Sequence, residues 1–214
     1  LRQGVTSICP ASMTLSEETL KTVCANAYAY TKRPEAEQDT GARLIGIHLE
    51  GPFISMEKKG AQNPAYIRNP DVEMFLRLQE AAHGLVRLIT IAPETDGAKE
   101  FIRRLADQGP CVMIGRCADY ILAGRPDVVR VFVHADKDFC LEQAMKVDSL
   151  PQQEVEKKIA EIDDYRARYY KHHTGHDWYD ARNYDLSLNS GVLGFDGTVE
   201  EIIKYMEVRE QFQK

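Results

Sequence analysis

Residues 44–54 read Leu44-Ile45-Gly46-Ile47-His48-Leu49-Glu50-Gly51-Pro52-Phe53-Ile54. The apolar run predicts a buried strand, and Gly51-Pro52 predicts its abrupt end. His48 and Glu50 are two residues apart, so in a strand their side chains point to the same face. In α/β enzymes an acid at the C-terminal tip of a parallel strand is often catalytic or metal-binding. Glu50 is therefore a candidate metal ligand, and the alternative is a solvated carboxylate at the end of a strand.

Apolar strands alternate with amphipathic helices through the rest of the chain. The strands are predicted at 5–10, 44–50, 86–92, 111–115, 128–134 and 184–189. The helices are predicted at 16–30, 71–82, 98–107, 120–123, 137–146, 152–172 and 198–206. This order predicts an α/β fold with a mainly parallel sheet of about six strands and flanking helices. Six strands are too few for a closed eight-stranded barrel.

The composition is that of an ordinary globular protein. The chain has 214 residues, of which 43% are hydrophobic and 28% charged, and its formal net charge is -6. This length allows one large core or two small domains. The acidic balance argues against nucleic acid as a partner. No apolar run is long enough to cross a membrane, and no secretory signal is visible.

The cysteines indicate a reducing compartment. Five are present, an odd number, and no two are spaced as CxxC: Cys9, Cys24, Cys111, Cys117 and Cys140. Free thiols of this kind are typical of a cytoplasmic protein.

Several short motifs in the first half occur together in one known family. They are Gly4-Val5-Thr6-Ser7, Pro10-Ala11-Ser12-Met13-Thr14, His48-Leu49-Glu50-Gly51-Pro52-Phe53-Ile54, Lys59-Gly60-Ala61-Gln62-Asn63-Pro64 and Ala92-Pro93-Glu94. Through them residues 1–109 resemble a central part of N-acetylglucosamine-6-phosphate deacetylase, a (β/α)8-barrel amidohydrolase. The resemblance implies that Glu50 binds a divalent metal such as zinc. It also implies that the loop around Gln62 and Asn63 lies over an amino-sugar phosphate, whose acetamide a metal-activated water attacks.

Much of that family's site has no counterpart here. The upstream His-x-His segment is absent, as are the later strands that carry a second metal histidine and the catalytic aspartate. The family's next strand ends in Ile-Gly-His, whereas this chain has Ile114-Gly115-Arg116. Arginine stays protonated and cannot bind a metal cation. Since one carboxylate does not make a zinc site, we expect little or no activity.

The second half resembles a different family. The motifs are Gly109-Pro110-Cys111-Val112-Met113-Ile114-Gly115-Arg116-Cys117-Ala118-Asp119-Tyr120-Ile121-Leu122, Val131-Phe132-Val133-His134-Ala135, Arg166-Ala167-Arg168-Tyr169-Tyr170-Lys171, Thr174-Gly175-His176-Asp177-Trp178 and Asn183-Tyr184-Asp185-Leu186-Ser187-Leu188-Asn189-Ser190. Residues 108–214 are similar to the C-terminal half of a cytidylate-kinase-like protein, which has a P-loop kinase fold. The resemblance implies that Arg116 and Asp119 face an acceptor nucleotide and that Arg166 lies in the lid. Mg-ATP is not expected as a cofactor, because the chain contains no glycine-rich phosphate-binding loop.

The two halves meet at Gln108-Gly109-Pro110. The sequence therefore predicts a half-barrel fragment at 1–109 and half of a P-loop-kinase-like fold at 110–214, with one continuous sheet as an alternative. A natural gene fusion, an assembly artefact and a designed fusion would all produce this sequence. Three functions stay open: a deacetylase fragment, a nucleotide-binding module without its P-loop, and an α/β chimera with no natural ligand. An open sheet exposes an edge, which predicts a homo-oligomer.

Overall fold

The computed structural model describes residues 7–33, 42–115, 117–147 and 149–212. The chain divides into two compact units, Leu1–Cys111 and Val112–Lys214. The boundary expected from the sequence, between 109 and 110, lies close to this division.

The first unit alternates short parallel strands with helices. Its described elements are β1 (Ser7–Ile8), α1 (Glu17–Thr31), β2 (Arg43–Leu44), β3 (Ile47–Glu50), α2 (Val72–Ala81), β4 (Val86–Thr90) and α3 (Ala98–Ala106). Strand β1 pairs with β2, and β3 pairs with β4, both in parallel. A bridge between Ala11 and His48 links the two pairs. The C-terminal tip of β3 therefore lies between the segment after β1 and the end of β4.

The second unit is mostly helical. Its described elements are α4 (Ala118–Ile121), β5 (Val131–His134), α5 (Lys137–Met145), α6 (Gln152–Thr174), β6 (Leu186–Asn189) and α7 (Ser190–Phe212). Strands β5 and β6 pair in parallel. Helix α7 is kinked at Gly194, whose φ is 69°. No helix in the described ranges is both long and apolar enough to cross a bilayer.

The parallel orientation is confirmed, but the single sheet of about six strands is not what forms. The described strands make three separate two-stranded parallel sheets. The predicted strand 44–50 is interrupted between β2 and β3, and its register with β4 shifts between Ile47 and His48. The side chain of Arg87 lies against Gly46, in the gap between β2 and β3. A Cβ on Gly46 would be only 2.3 Å from Arg87 Cγ. An interrupted strand cannot extend one ladder across the unit.

The predicted strand 111–115 is wrong. These residues have no regular secondary structure, and Val112 and Ile114 are 87% and 86% exposed. A strand is stable only where a neighbour satisfies its backbone groups. No strand in the described part of the chain forms a ladder with this segment, so its apolar sequence alone does not make it a strand.

The core of the first unit lies between β3 and helices α1, α2 and α3. Ile47 and Leu49 alternate with less buried His48 and Glu50, as expected for a strand with one face against helices. The main buried side chains around them are Leu20, Cys24, Phe53, Met74, Phe75, Leu78, Val86 and Phe101. The rings of Phe53 and Phe101 meet edge to face at 5.2 Å between centroids. This packing fixes β3 and leaves the face with His48 and Glu50 away from the core.

Local signals in the sequence begin the helices of this unit. Ser16 caps α1 by accepting a hydrogen bond from the backbone of Thr19. Asp71 caps α2 through the backbone of Met74 at 3.0 Å. Each cap satisfies a backbone N–H that the helix itself leaves without a partner.

Candidate functional site

The tip of β3 is held by hydroxyl groups from the loop after β1. The backbone N–H of Glu50 donates to Ser12 Oγ at 3.2 Å, and its carbonyl oxygen accepts from Thr14 Oγ1 at 3.3 Å. Ser12 and Thr14 are both buried, at 7% and 1% exposure. Their hydroxyls replace the pairing that β3 loses where the strand ends. The main chain of Glu50 is thus fixed by residues far from it in sequence.

Gly51 makes the close approach of Thr14 possible. Its φ is +88°, and a Cβ built there would lie 2.1 Å from Thr14 Oγ1. Only glycine adopts this backbone conformation without strain and leaves the space empty. The predicted end of the strand at Gly51-Pro52 is confirmed by β3, which ends at Glu50.

Gln62 is a buried support for this loop. Its Oε1 accepts a 2.7 Å hydrogen bond from the backbone of Thr14, and the residue is 7% exposed. Asn63 next to it is exposed, and its Oδ1 caps the 3-10 turn Pro64–Tyr66 through the backbone of Ala65. The structure therefore uses Gln62 and Asn63 to shape the loop. Their part in binding an amino-sugar phosphate stays a prediction.

His48 contacts the neighbouring strand. Its Nε2 lies 2.8 Å from Thr90 Oγ1, and Thr90 is the register partner of Glu50 in β4. His48, Glu50 and Thr90 therefore share one sheet face. Sequence reasoning identified the first two and missed Thr90. If the two predicted strands pair in parallel, the residue opposite Glu50 lies on the same sheet face as Glu50. That rule would have identified Thr90.

The described residues do not assemble a metal site around Glu50. Its carboxylate makes no hydrogen bond or ion pair with any residue of the described ranges. Across the same ranges, no group of three or more His, Cys, Asp or Glu side chains is arranged to hold a metal. A catalytic zinc needs three protein ligands and an open position. This donor set therefore does not fit the metal that the deacetylase resemblance implies.

In the second unit Asp119 is engaged with Tyr170. The Tyr170 hydroxyl donates to the Asp119 carboxylate at 2.6 Å and joins α4 to α6. Burial, and then the bond to Asp119, raise the pKa of Tyr170 above its usual 10.0. Arg166 lies one helical turn before Tyr170, is exposed, and pairs with Asp163 at 3.0 Å. Arg116 is outside the described residues, so the three predicted nucleotide contacts are not seen together.

An ion pair between Arg130 and Asp185 holds the start of the β5–β6 sheet. Asp185 accepts from Arg130 Nη2 at 2.7 Å, from Arg130 Nε at 3.1 Å and from the Arg130 backbone at 2.8 Å. These hydrogen bonds lower the pKa of the Asp185 carboxyl. Both side chains are about one quarter exposed. The pair cannot be found from a local sequence pattern, because its two residues belong to different predicted strands.

Comparison with known proteins finds a different likeness for each end of the chain. A model of the cytidylate kinase-like family matches residues 89–192. N-acetylglucosamine-6-phosphate deacetylase of Bacillus subtilis is 39% identical over 113 residues, which are 53% of this chain and 28% of the relative. The chain resembles two different families. The two-part resemblance expected from the motifs is thereby confirmed, although the kinase-like match begins in β4, earlier than residue 108.

The deacetylase likeness extends to other organisms. The human N-acetylglucosamine-6-phosphate deacetylase is 38% identical over 117 residues, 54% of this chain and 27% of the relative. N-acetylgalactosamine-6-phosphate deacetylase of Escherichia coli O157:H7 is 32% identical, over 55% of this chain and 30% of the relative. The chain therefore spans less than a third of the length of each of these curated relatives.

Solved structures give a weaker likeness. The deacetylase of Mycobacterium smegmatis superposes with a TM-score of 0.45 and 31% identity, over 61% of this chain and 33% of that one. A protein from Eubacterium ventriosum described as uncharacterized superposes with a TM-score of 0.50 and 20% identity, over 94% of this chain and 84% of that one. The second likeness concerns the fold alone.

Proposed function

We propose that this chain is a fusion of a deacetylase-derived unit with a cytidylate-kinase-like unit, and that it hydrolyses N-acetylated amino-sugar phosphates weakly or not at all. The observation that carries the proposal is the tip of β3. There Ser12 and Thr14 hold the main chain of Glu50, while its carboxylate has no partner in the described ranges. The 39% identity to the Bacillus subtilis deacetylase over this half supports the substrate class.

The weak activity follows from the donor set. The occupancy of a metal site depends on how many ligands the protein supplies. A single carboxylate binds divalent ions only loosely. His48 is directed to Thr90 at 2.8 Å and is not grouped with a further acid, histidine or cysteine in the described part of the chain.

The test measures metal content and turnover on the same samples. The 214-residue chain is purified with Zn²⁺ or Mn²⁺, its bound metal is determined by mass spectrometry, and acetate release from N-acetylglucosamine 6-phosphate is followed. We expect well under one tightly bound ion per chain and no turnover above background. Glu50→Gln is compared with Glu57→Gln, an exposed acid of the next loop. One ion per chain, with turnover that Glu50→Gln abolishes and Glu57→Gln preserves, overturns the proposal.

A second candidate function is nucleotide binding by the kinase-like unit. It is favoured by the family match over residues 89–192. Calorimetry with CMP and with ATP tests it, with Arg116→Ala and Arg166→Ala as variants. Heat from CMP that either substitution removes supports a nucleotide site. No heat at millimolar CMP ends this alternative.

Self-association through a sheet edge is a separate part of the proposal. One pair of backbone groups on the outer edge of β4 is already covered, since Gln79 bonds both the N–H and the carbonyl oxygen of Val86. The rest of β4 is short, and Leu88 on it is 46% exposed. Light scattering after gel filtration measures whether the chain is a monomer or a dimer. A dimer that the substitution Leu88→Lys dissociates supports pairing through this edge.

A further inference from the structure

Helix α7 carries a line of exposed apolar side chains in the second unit. Phe195, Val199, Ile203 and Met206 are 64%, 54%, 46% and 45% exposed. Their spacing of three or four residues places them on one side of the helix, over about 16 Å or three turns. These four residues are called the α7 stripe. A continuous apolar strip of this kind marks an interaction surface more often than scattered apolar residues do.

The stripe is exposed although the helix is anchored. Ser190 Oγ donates to the carbonyl oxygen of His134 at 3.1 Å, at the start of α7. At the other end Arg209 donates to the carbonyl oxygens of Val128 and Pro126. Thr198, 5% exposed, lies on the same side of the helix as Arg209. The packed side of α7 is therefore defined, and the α7 stripe lies next to it facing outward.

An acidic edge borders the stripe on its other side. At 100° per residue Asp196, Glu200 and Glu207 follow the stripe on the side away from Thr198 and Arg209. All three acids are exposed. Lys204 pairs with Glu207 at 2.8 Å and offsets only part of this charge. The surface thus combines an apolar strip with negative charge along one margin.

We infer that the α7 stripe is a docking surface for an amphipathic helix of another protein, one with an apolar face and Lys or Arg residues beside it. Helices that lie along a groove or another helix use apolar anchors at three- and four-residue spacing, as the stripe provides. Basic residues on the partner would lie against Asp196, Glu200 and Glu207 and fix its orientation. This inference does not depend on the proposed function of the first unit.

The charge pattern disfavours a second copy of this chain as the occupant. Two copies related by a twofold axis with antiparallel α7 helices would place their acidic edges against each other. With parallel helices the acidic edge of one copy would face the packed side of the other, where α7 already contacts its own unit.

The experiment uses the full chain and two synthetic peptides. Both are fluorescein-labelled helical 16-mers with the same leucine face, one flanked by lysine and the other by glutamate. Fluorescence anisotropy should show binding of the lysine peptide that weakens with salt, and at least about tenfold weaker binding of the glutamate peptide. Equal binding of the two peptides, or none, overturns the inference.

Variants connect the binding to the stripe. Ile203→Ala should weaken the lysine peptide about tenfold, since its exposed side chain would lose contact with the partner. Val208→Ala is the matched control, because Val208 is 45% exposed on the opposite side of α7 and should leave binding unchanged. Glu200→Lys should reduce the preference for the lysine peptide without removing an apolar anchor. Equal loss with Val208→Ala, or self-association that Ile203→Ala abolishes, contradicts the inference.

Discussion

The hydroxyl of Tyr170 on α6 donates a 2.6 Å hydrogen bond to the carboxylate of Asp119 on α4. Tyr170 is 4% exposed, so this bond joins two helices inside the second unit. The resemblance to cytidylate-kinase-like proteins predicts that Asp119 faces a nucleotide. In this structure the same carboxylate stabilises the unit, and a nucleotide that uses it must compete with Tyr170.

Replacing Tyr170 with Phe should therefore destabilise the second unit. We expect a loss of about 1–2 kcal/mol in the free energy of unfolding, because a buried bond to a charged acceptor disappears. Chemical denaturation at neutral pH measures it. Tyr205→Phe, in the same unit, is the control and should have little effect.

The pH dependence of this contribution follows from the direction in which the pKa of Tyr170 is shifted. The pKa of Tyr170 is raised above its ordinary 10.0, so its contribution is complete below that pH and is lost as the pH rises further. The difference in stability between the parent chain and Tyr170→Phe should shrink above pH 10. A difference that stays constant to higher pH would contradict the assignment.

The pair between Glu17 and Arg77 predicts an effect at acid pH. Arg77 Nε and Nη2 bond the Glu17 carboxylate at 2.6 and 3.0 Å, and with Lys21 they lower its pKa from 4.5 to about 2. Because the folded pKa is depressed, the contribution is present above pH 4.5 and is lost as the pH falls toward 2. Arg77→Ala should lower the stability only slightly at pH 7, because the pair is partly exposed, and should change it least at pH 2, where most of this contribution is already lost. Thermal unfolding across this range checks it, with the exposed Arg103→Ala as control.

Gly51 should tolerate no side chain. Gly51→Ala places a Cβ 2.1 Å from Thr14 Oγ1 at a φ of +88°, and we expect a loss of about 2–4 kcal/mol. Gly60→Ala is the matched control: its φ is +58° but nothing lies within 4 Å of the added Cβ. It should cost only about 1 kcal/mol. Denaturant unfolding compares them, and equal losses would show that the contact with Thr14 is unimportant.

Asp185→Asn should weaken the β5–β6 sheet. The substitution removes the charge that pairs with Arg130 and leaves the guanidinium partly buried beside a neutral amide. The expected loss is about 1–3 kcal/mol. Asp127→Asn, which affects the more exposed pair with Arg125, should cost less. Hydrogen exchange of the β5 amides locates the effect, which should be confined to this sheet.

The strand 44–50 and the segment 111–115 show how far a local pattern reaches. Both are apolar runs, yet Ile47–Glu50 forms a strand and 111–115 does not. The first is packed on α1 and α2 and paired with β4, whereas no strand in the described part of the chain forms a ladder with the second. Apolar sequence supplies the tendency to be buried, and only a neighbouring strand satisfies the backbone.

The sequence by itself determined the features that depend on neighbouring residues. These are the alternation of helices with parallel strands, the cap at Ser16, the end of β3 after Glu50 and the shared face of His48 and Glu50. The tertiary structure alone decided how distant residues meet. It placed Gln62 under Thr14, Thr90 beside His48, and Tyr170 on Asp119. It also kept other ligands away from Glu50 within the described ranges, because a metal site requires several side chains from separate elements to converge.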